Sequence, residues 1–216
     1  NTVVYDPATD YVAYYKLISD SLDESVNNYD GTDSSCVIYA DWKSAIFPSN
    51  SSDSINLNSK PINNTDTYTI SWWLKISEIW FSWIYFSNNI WWNWYGIEFS
   101  TTPSGVKFTH VRSDVTVTND YVSTPLKTDN TFHHYTAVRN WLNIKLYEDW
   151  ILIDSWSLIN GTTANYSNAY LWKFKNNNTN SPQIKNHLSR VRLYDRTLSD
   201  SEILEIYNYG KVDLDL

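Results

Sequence analysis

The sequence predicts an all-β sandwich with one short helix near its C-terminus, and three observations predict it. Short runs of alternating apolar and polar residues recur along the chain, separated by turn-forming residues every 8–12 residues or so. Charged residues make up only 19% of the chain against 42% hydrophobic, and Asn, Ser and Thr dominate the polar remainder, a balance suited to turns and sheet surfaces rather than solvated helices. A single window, "TLSDSEILEIYNYGK" (197–211), combines helical apolar spacing with a capping signal.

The elements follow in order. "YVAYYKLI" (11–18) reads as the first strand, and a polar loop rich in Asp, Asn and Ser comes after it. "CVIYA" (36–40), "SAIFPSN" (44–50) and "SINLN" (54–58) read as short strands or fragments of strands. "TYTISWWLKIS" (67–77) is a strong strand with Tyr68, Ile70 and Trp72 on one face. "WIYFS" (83–87), "YGIEFST" (95–101) and "GVKFTHVRS" (105–113) continue at regular spacing. "FHHYTAVRN", "NIKLYED" and "ILIDSWSLI" form a three-strand meander, and "NHLSRVRLYDR" (186–196) is the last long strand. In the helix, Ser199 and Glu202 have capping-box spacing, Leu198 and Ile203 can staple its first turn, and Gly210 fits the C-cap. The helix is expected on the sandwich edge. No linker or repeat divides the chain, so 1–216 reads as one domain.

Bulk properties exclude several function classes. The net charge is −8, and the closest basic pairs, Arg190/Arg192 and Lys173/Lys175, are too few for the basic stripe a nucleic acid requires. Ile79 to Phe99, the longest aromatic-rich run, is broken by Ser, Asn, Gly and Glu, so no membrane insertion is expected. The lone cysteine, Cys36, cannot form an internal disulfide and is expected as a buried thiol. The lack of methionine and of a signal-peptide pattern is expected of a mature form or a fragment.

Four stretches, in order, resemble the LamG-like jelly-roll domains of the concanavalin A-like lectin/glucanase superfamily: "DYVAYYKLISDSLDESVNNYDGT", "YTISWWLKI", "FHHYTAVRNWLNIKLYEDWILIDSWSL" and "SRVRLYDRTLSDSEILEIYN". The resemblance implies a jelly-roll β-sandwich of two antiparallel sheets with one short C-terminal helix. It also implies a rim Ca²⁺ site as a common feature. Where the family pattern has Asp-Glu before the last long strand's Val, this chain has Ser189-Arg190.

Laid on the family pattern, many tryptophans fall where glycine is expected. Trp42, Trp141, Trp150, Trp156 and Trp172 align with turn or loop glycines, and Trp80, Trp83, Trp91, Trp92 and Trp94 punctuate one run as glycine would. The chain has 12 Trp and 5 Gly, against roughly 7% Gly in average proteins. Trp73 matches a genuine family Trp, and Trp72 is ambiguous. The pattern is that of UGA codons, which some bacterial lineages read as glycine, decoded as Trp. The alternative is genuine Trp in adapted turns, several of them at positions that favour φ > 0.

Candidate chemistry is sparse. The loop "SDSLDESVNNYDGT" offers Asp20, Asp23, Glu24, Asn28 and Asp30, hard oxygen donors of the kind Ca²⁺ takes. Asp20, Asp23 and Asp30 are the metal candidates, with turn hydrogen bonding as the competing role. His133 and His134 on one strand face opposite ways and cannot share a metal, and structural or surface roles are expected for all four histidines. Glucan-hydrolysing relatives carry paired carboxylates on one strand. Here Glu98 is alone, Glu148-Asp149 lie in a turn, and Glu202 and Glu205 belong to the helix, so no enzyme is expected. The expected role is non-catalytic recognition of carbohydrate or another cell-surface ligand, within a larger extracellular, adhesive or phage-surface protein. The binding surface is expected on a concave sheet face or on rim loops, with Asn88, Asn93 and Tyr95 as ligand candidates. The alternative is a structural spacer or capping domain of a fibre or appendage.

Overall fold

The structure, a computed structural model, describes residues 9–34, 37–40, 42–47, 54–58, 61–63, 66–76, 82–87, 96–102, 105–111, 121–158, 168–171 and 186–216. Along these run β1 (Ala13–Tyr15), β2 (Thr32–Asp33), β3 (Ile38–Ala40), β4 (Ser44–Phe47), β5 (Ile55–Asn56) and β6 (Thr67–Lys75). There follow β7 (Ser82–Ser87), β8 (Gly96–Thr102), β9 (Gly105–Val111), β10 (Tyr121–Thr124), β11 (Phe132–Asn140) and β12 (Asn143–Glu148). The chain closes with β13 (Ile151–Ser157), β14 (Asn168–Leu171), β15 (Asn186–Tyr194) and helix α1 (Asp200–Leu214). β2, β10 and β14 add to the strands expected from sequence. At two to four residues each, they are too short for alternation to be read.

Two antiparallel sheets stack face to face. One has the order β13-β12-β11-β6-β15-β4-β3, with β1 also paired to β15. The other has the order β10-β9-β8-β7-β14-β5-β2. Every second residue of β6 (Tyr68, Ile70, Trp72, Leu74) points between the sheets, joined by Tyr135, Ala137, Ile144, Leu146, Val191 and Leu193. The opposing sheet contributes Ile55, Val106, Phe108, Val122, Ala169 and Leu171. Tyr68 meets Phe108 edge-on across the gap at 6.3 Å, and Trp72 stacks on Tyr135 at 5.9 Å.

Helix α1 lies across the back of the eight-stranded sheet rather than on the sandwich edge. Leu198, Ile203 and Ile206 pack on Val138, Tyr147 and Tyr194, while Tyr207 stacks on Trp73 at 5.6 Å with rings 12° apart. The cause is visible in the strands beneath. β6, β11 and β15 are buried on both faces over nearly their whole length, and such strands need a second cover. The expected capping box at Ser199 and Glu202 forms. Gly210 is not the C-cap. The helix runs on to Leu214 and ends at Asp215, φ 58°. Gly210 instead lets the helix approach Trp73, for a Cβ there would stand 2.3 Å from the indole Nε1.

The Ser189-Arg190 departure also has a structural role. β15 bulges between Ser189 and Arg192, with Arg190 at φ 49°. The buried Arg190 guanidinium donates to Lys43 O at 2.9 Å, to Asp213 O at 3.0 Å and to the Asp213 carboxylate. It ties the β3–β4 turn to the C-terminal end of α1, where a cation is favoured.

Three tryptophans in the glycine pattern occupy left-handed backbone: Trp42 (φ 53°), Trp141 (φ 53°) and Trp150 (φ 67°). They lie in the turns β3–β4, β11–β12 and β12–β13 and are 78%, 63% and 44% exposed. Asp149 (φ 49°) and Trp150 are the two central residues of the β12–β13 turn, as a type I′ turn demands. Trp156 differs. It lies within β13 and is absent from the left-handed residues. Trp72 and Trp73 are 1% exposed core residues. Trp80, Trp91, Trp92, Trp94, Trp172 and Cys36 lie outside the described residues, and of Trp83, in β7, only the backbone is described.

Candidate functional site

The strand register places a row of residues across the seven-stranded sheet. Asn56 pairs with Tyr170, Tyr170 with Tyr85, Tyr85 with Glu98, Glu98 with Thr109, and Thr109 with Tyr121. Directly paired residues share a face. Ile55, Phe108, Val122 and Leu171 are buried in the core, so their neighbours Asn56, Thr109, Tyr121 and Tyr170 lie on the outer face. A second row two residues along runs Trp83, Ser100, Lys107, Ser123. Tyr121 is 37% exposed, and the Lys107 ammonium sits 4.7 Å from its ring centroid. Glu98 has Tyr85 and Thr109 as its cross-strand neighbours, so the register sets no second carboxylate beside it.

The loop carrying the Ca²⁺ candidates is held by its own acids. Asp23, 6% exposed, accepts on Oδ1 from the backbone N–H of Tyr14 (2.8 Å) and Ser25 (2.9 Å). Its Oδ2 accepts from Ser25 Oγ (2.6 Å) and from Tyr29 N–H (2.9 Å). Asp30 accepts from the Asp23 N–H at 3.0 Å, and the exposed Asp20 caps Leu22 N–H at 3.2 Å. Asp23 thus staples the loop to β1 through Oδ1 and closes the loop on itself through Oδ2. Asn88, Asn93 and Tyr95 lie outside the described residues.

A denser cluster sits where the β12–β13 turn meets the 125–131 connection. As expected for neighbours on a strand, the two histidines face opposite ways. His134 is buried beside Trp73 and shares a 2.7 Å hydrogen bond with Ser71 Oγ. Burial, reinforced by the Arg192 charge, pushes its pKa down to about 3. His133 is half-buried. Its Nδ1 lies 2.7 Å from Asp149 Oδ2, and its Nε2 lies 3.0 Å from both Asp129 Oδ2 and Thr131 Oγ1. The bond to Asp149 raises the imidazole pKa above its ordinary value. Asp129 is held near about 2 because hydrogen bonds from Thr131 and His133 outweigh the opposing effect of burial. Lys127 reaches Glu148 Oε1 at 2.7 Å. Sequence reading placed His133 on a strand face and Glu148-Asp149 in a turn. What brings them together is the pairing of Tyr135 with Glu148.

Two stacked antiparallel sheets, one backed by a helix and the other with an aromatic and polar outer face, define a lectin-like β-sandwich. The chain belongs to the concanavalin A-like lectin/glucanases superfamily, whose family model matches residues 49–204. No curated protein matches it. Among solved structures it is similar to the binding domain of paraclostridial mosquitocidal protein 1, with 22% identity and a TM-score of 0.74, over 92% of this chain and 52% of that one. It is also similar to a chain of botulinum neurotoxin type C, whose cell entry is dependent upon interaction with two ganglioside molecules, with 17% identity and a TM-score of 0.72, over 93% and 51%. A third is the binding domain of botulinum neurotoxin DC in complex with SialylT, with 15% identity and a TM-score of 0.70, over 93% and 52%. The chain therefore spans about half the length of the solved chains it matches. Among the described residues, no helix is long and apolar enough to cross a membrane.

Proposed function

We propose that the chain is a non-catalytic recognition module that binds carbohydrate on the outer face of the seven-stranded sheet, within a larger extracellular protein acting at cell surfaces. The observation that carries this reading is the presence of Tyr121 and Tyr170 on that face, paired across strands with Thr109 and Asn56. Aromatic rings on a pleated surface offer flat apolar faces to the C–H side of a sugar, while neighbouring amide and hydroxyl groups match its hydroxyls. The solved chains named for gangliosides and SialylT support the same class of ligand. Ca²⁺ belongs to a separate proposal, at the rim loop. At the Asp20, Asp23 and Asp30 loop it would have to displace the four donors on Asp23.

The test is a glycan array followed by titration of the best ligand against wild type, Tyr121→Ala and Tyr170→Ala. Loss of one stacking ring is expected to weaken binding by at least about tenfold, the equivalent of roughly 1.4 kcal/mol. Saturable binding that both variants leave unchanged would move the site elsewhere, and no glycan binding at all would remove the carbohydrate reading. A spacer role has one feature in its favour. Edge strand β13 exposes Ile151, Leu152, Ile153 and Trp156 at 44–52%, an apolar edge of the kind that docks a neighbouring domain.

A further inference from the structure

The geometry points to a transition-metal site at the rim of the eight-stranded sheet, formed by His133, Glu148 and Asp149 and filled, in the metal-free protein, by the Lys127 ammonium. Ligand atoms of the three residues lie within 4.8 Å of one another. Lys127 Nζ sits among them, 2.7 Å from Glu148 Oε1, 3.5 Å from Asp149 Oδ2 and 3.5 Å from His133 Nδ1. A tethered cation already stands at the point on which the three donors converge.

Each donor is held in place by a second partner on its other atom. Glu148, 4% exposed, binds the Thr124 hydroxyl through Oε2, which leaves Oε1 for the centre. Asp149 takes the His134 N–H on Oδ1 at 3.0 Å, which turns Oδ2 toward the centre. His133 engages Asp129 through Nε2, which turns Nδ1 toward the centre, where it meets Asp149 Oδ2 at 2.7 Å; a metal ion would replace that hydrogen bond and the proton in it. A carboxylate on the far nitrogen of a histidine is how metal-binding imidazoles are oriented and made more basic. The backbone fixes the rest, since Glu148 and Asp149 are consecutive at the β12–β13 turn and His133 lies two residues before Tyr135, the partner of Glu148 on β11, and so on the same face of that strand.

One imidazole nitrogen and two carboxylate oxygens suit a borderline dication such as Zn²⁺ or Co²⁺. Ca²⁺, which takes six to eight oxygens as a rule, is a poor match. The Lys127 side chain is 42% exposed, so it can swing into solvent when a dication takes its place. The metal adds one positive charge to the site relative to the ammonium, against two carboxylates. This site is separate from the tyrosine row and does not depend on the carbohydrate reading.

The test uses the whole chain. Zn²⁺ is titrated calorimetrically, and Co²⁺ is followed by its visible absorption, for wild type, Lys127→Met, His133→Ala and Asp129→Asn. Binding of one ion per chain is expected. Lys127→Met should bind at least about tenfold more tightly because the competing charge is gone. His133→Ala should lose the site. Asp129→Asn should weaken it by about 10–100-fold. Circular dichroism establishes that each variant is folded, and the gain in Lys127→Met needs no disruptive change. Absence of one-to-one binding in both wild type and Lys127→Met would overturn the inference. So would unchanged affinity in His133→Ala, or a Lys127→Met affinity no better than wild type.

Discussion

Replacing Trp42, Trp141 and Trp150 together by glycine should stabilise the protein, although it removes three large side chains. All three sit at φ between 53° and 67°, where a side chain costs about 1–2 kcal/mol that glycine does not. Against this, glycine loosens the unfolded chain by about 0.5–1 kcal/mol. Exposures of 78%, 63% and 44% mean that little packing is lost, least at Trp42 and most at Trp150. The turns at Trp141 and Trp150 lie at opposite ends of β12, so their effects should add. The net gain is about 2 kcal/mol for the three, or about 4–8 °C in Tm for a chain of this size. Thermal melts of the triple variant against wild type measure it. Trp156→Gly is the internal control. In mid-strand at ordinary φ it should lower Tm, because glycine weakens a strand. A triple variant that melts at or below wild type would refute the reasoning. If the gain is found, mass spectrometry of the protein from its own source should read glycine at 42, 141 and 150.

Gly210→Ala should destabilise by about 1–3 kcal/mol, since the new methyl must displace Trp73 from under the helix, and urea unfolding reads this directly. The paired histidines predict opposite pH dependences. His134 stays neutral in the fold down to a pKa of about 3. Its contribution is therefore full above the unfolded value near about 6.5 and is lost as pH falls, at up to about 1.4 kcal/mol per unit. For His133 the folded pKa is raised by Asp149 and then Asp129 against burial and Lys127, so its contribution is full below the unfolded value and is lost as pH rises through the folded one. Unfolding free energies between pH 4 and 9 should show His134→Gln flattening the limb below about pH 6.5 and His133→Gln removing a loss of stability above it. If both variants follow the wild-type curve, the assigned environments are wrong.

What the sequence made legible was local. The capping box at Ser199 and Glu202 and the two-residue turn at Asp149-Trp150 are each written within a few residues, and both formed. Tyr68, Ile70 and Trp72 share a face because alternation is a property of one strand. Features that need two distant segments were not legible. Gly210 reads as a helix terminator until Trp73 is known to lie beneath it. Arg190 reads as a departure from a family acid until the bulge turns it toward Asp213 and Lys43. The tyrosine row requires the register of six strands, and single-strand alternation leaves register open. The His133 cluster needs the β11–β12 pairing and also a lysine from a connection with no periodic signal. Asn88, Asn93 and Tyr95 are ligand candidates by residue type in a loop and lie outside the described residues, whereas the register of the row is fixed by strand pairing.

The position of β15 has a consequence for how the chain is made. It lies between β6 and β4, and it also receives β1. Until residues 186–194 arrive, the larger sheet exists only as two unjoined fragments, and the first strand has no partner among the described residues. During synthesis the larger sheet therefore stays unclosed until residues 186–194 have emerged. Closure by such distant segments is slow. It also makes the last thirty or so residues a poor place to truncate.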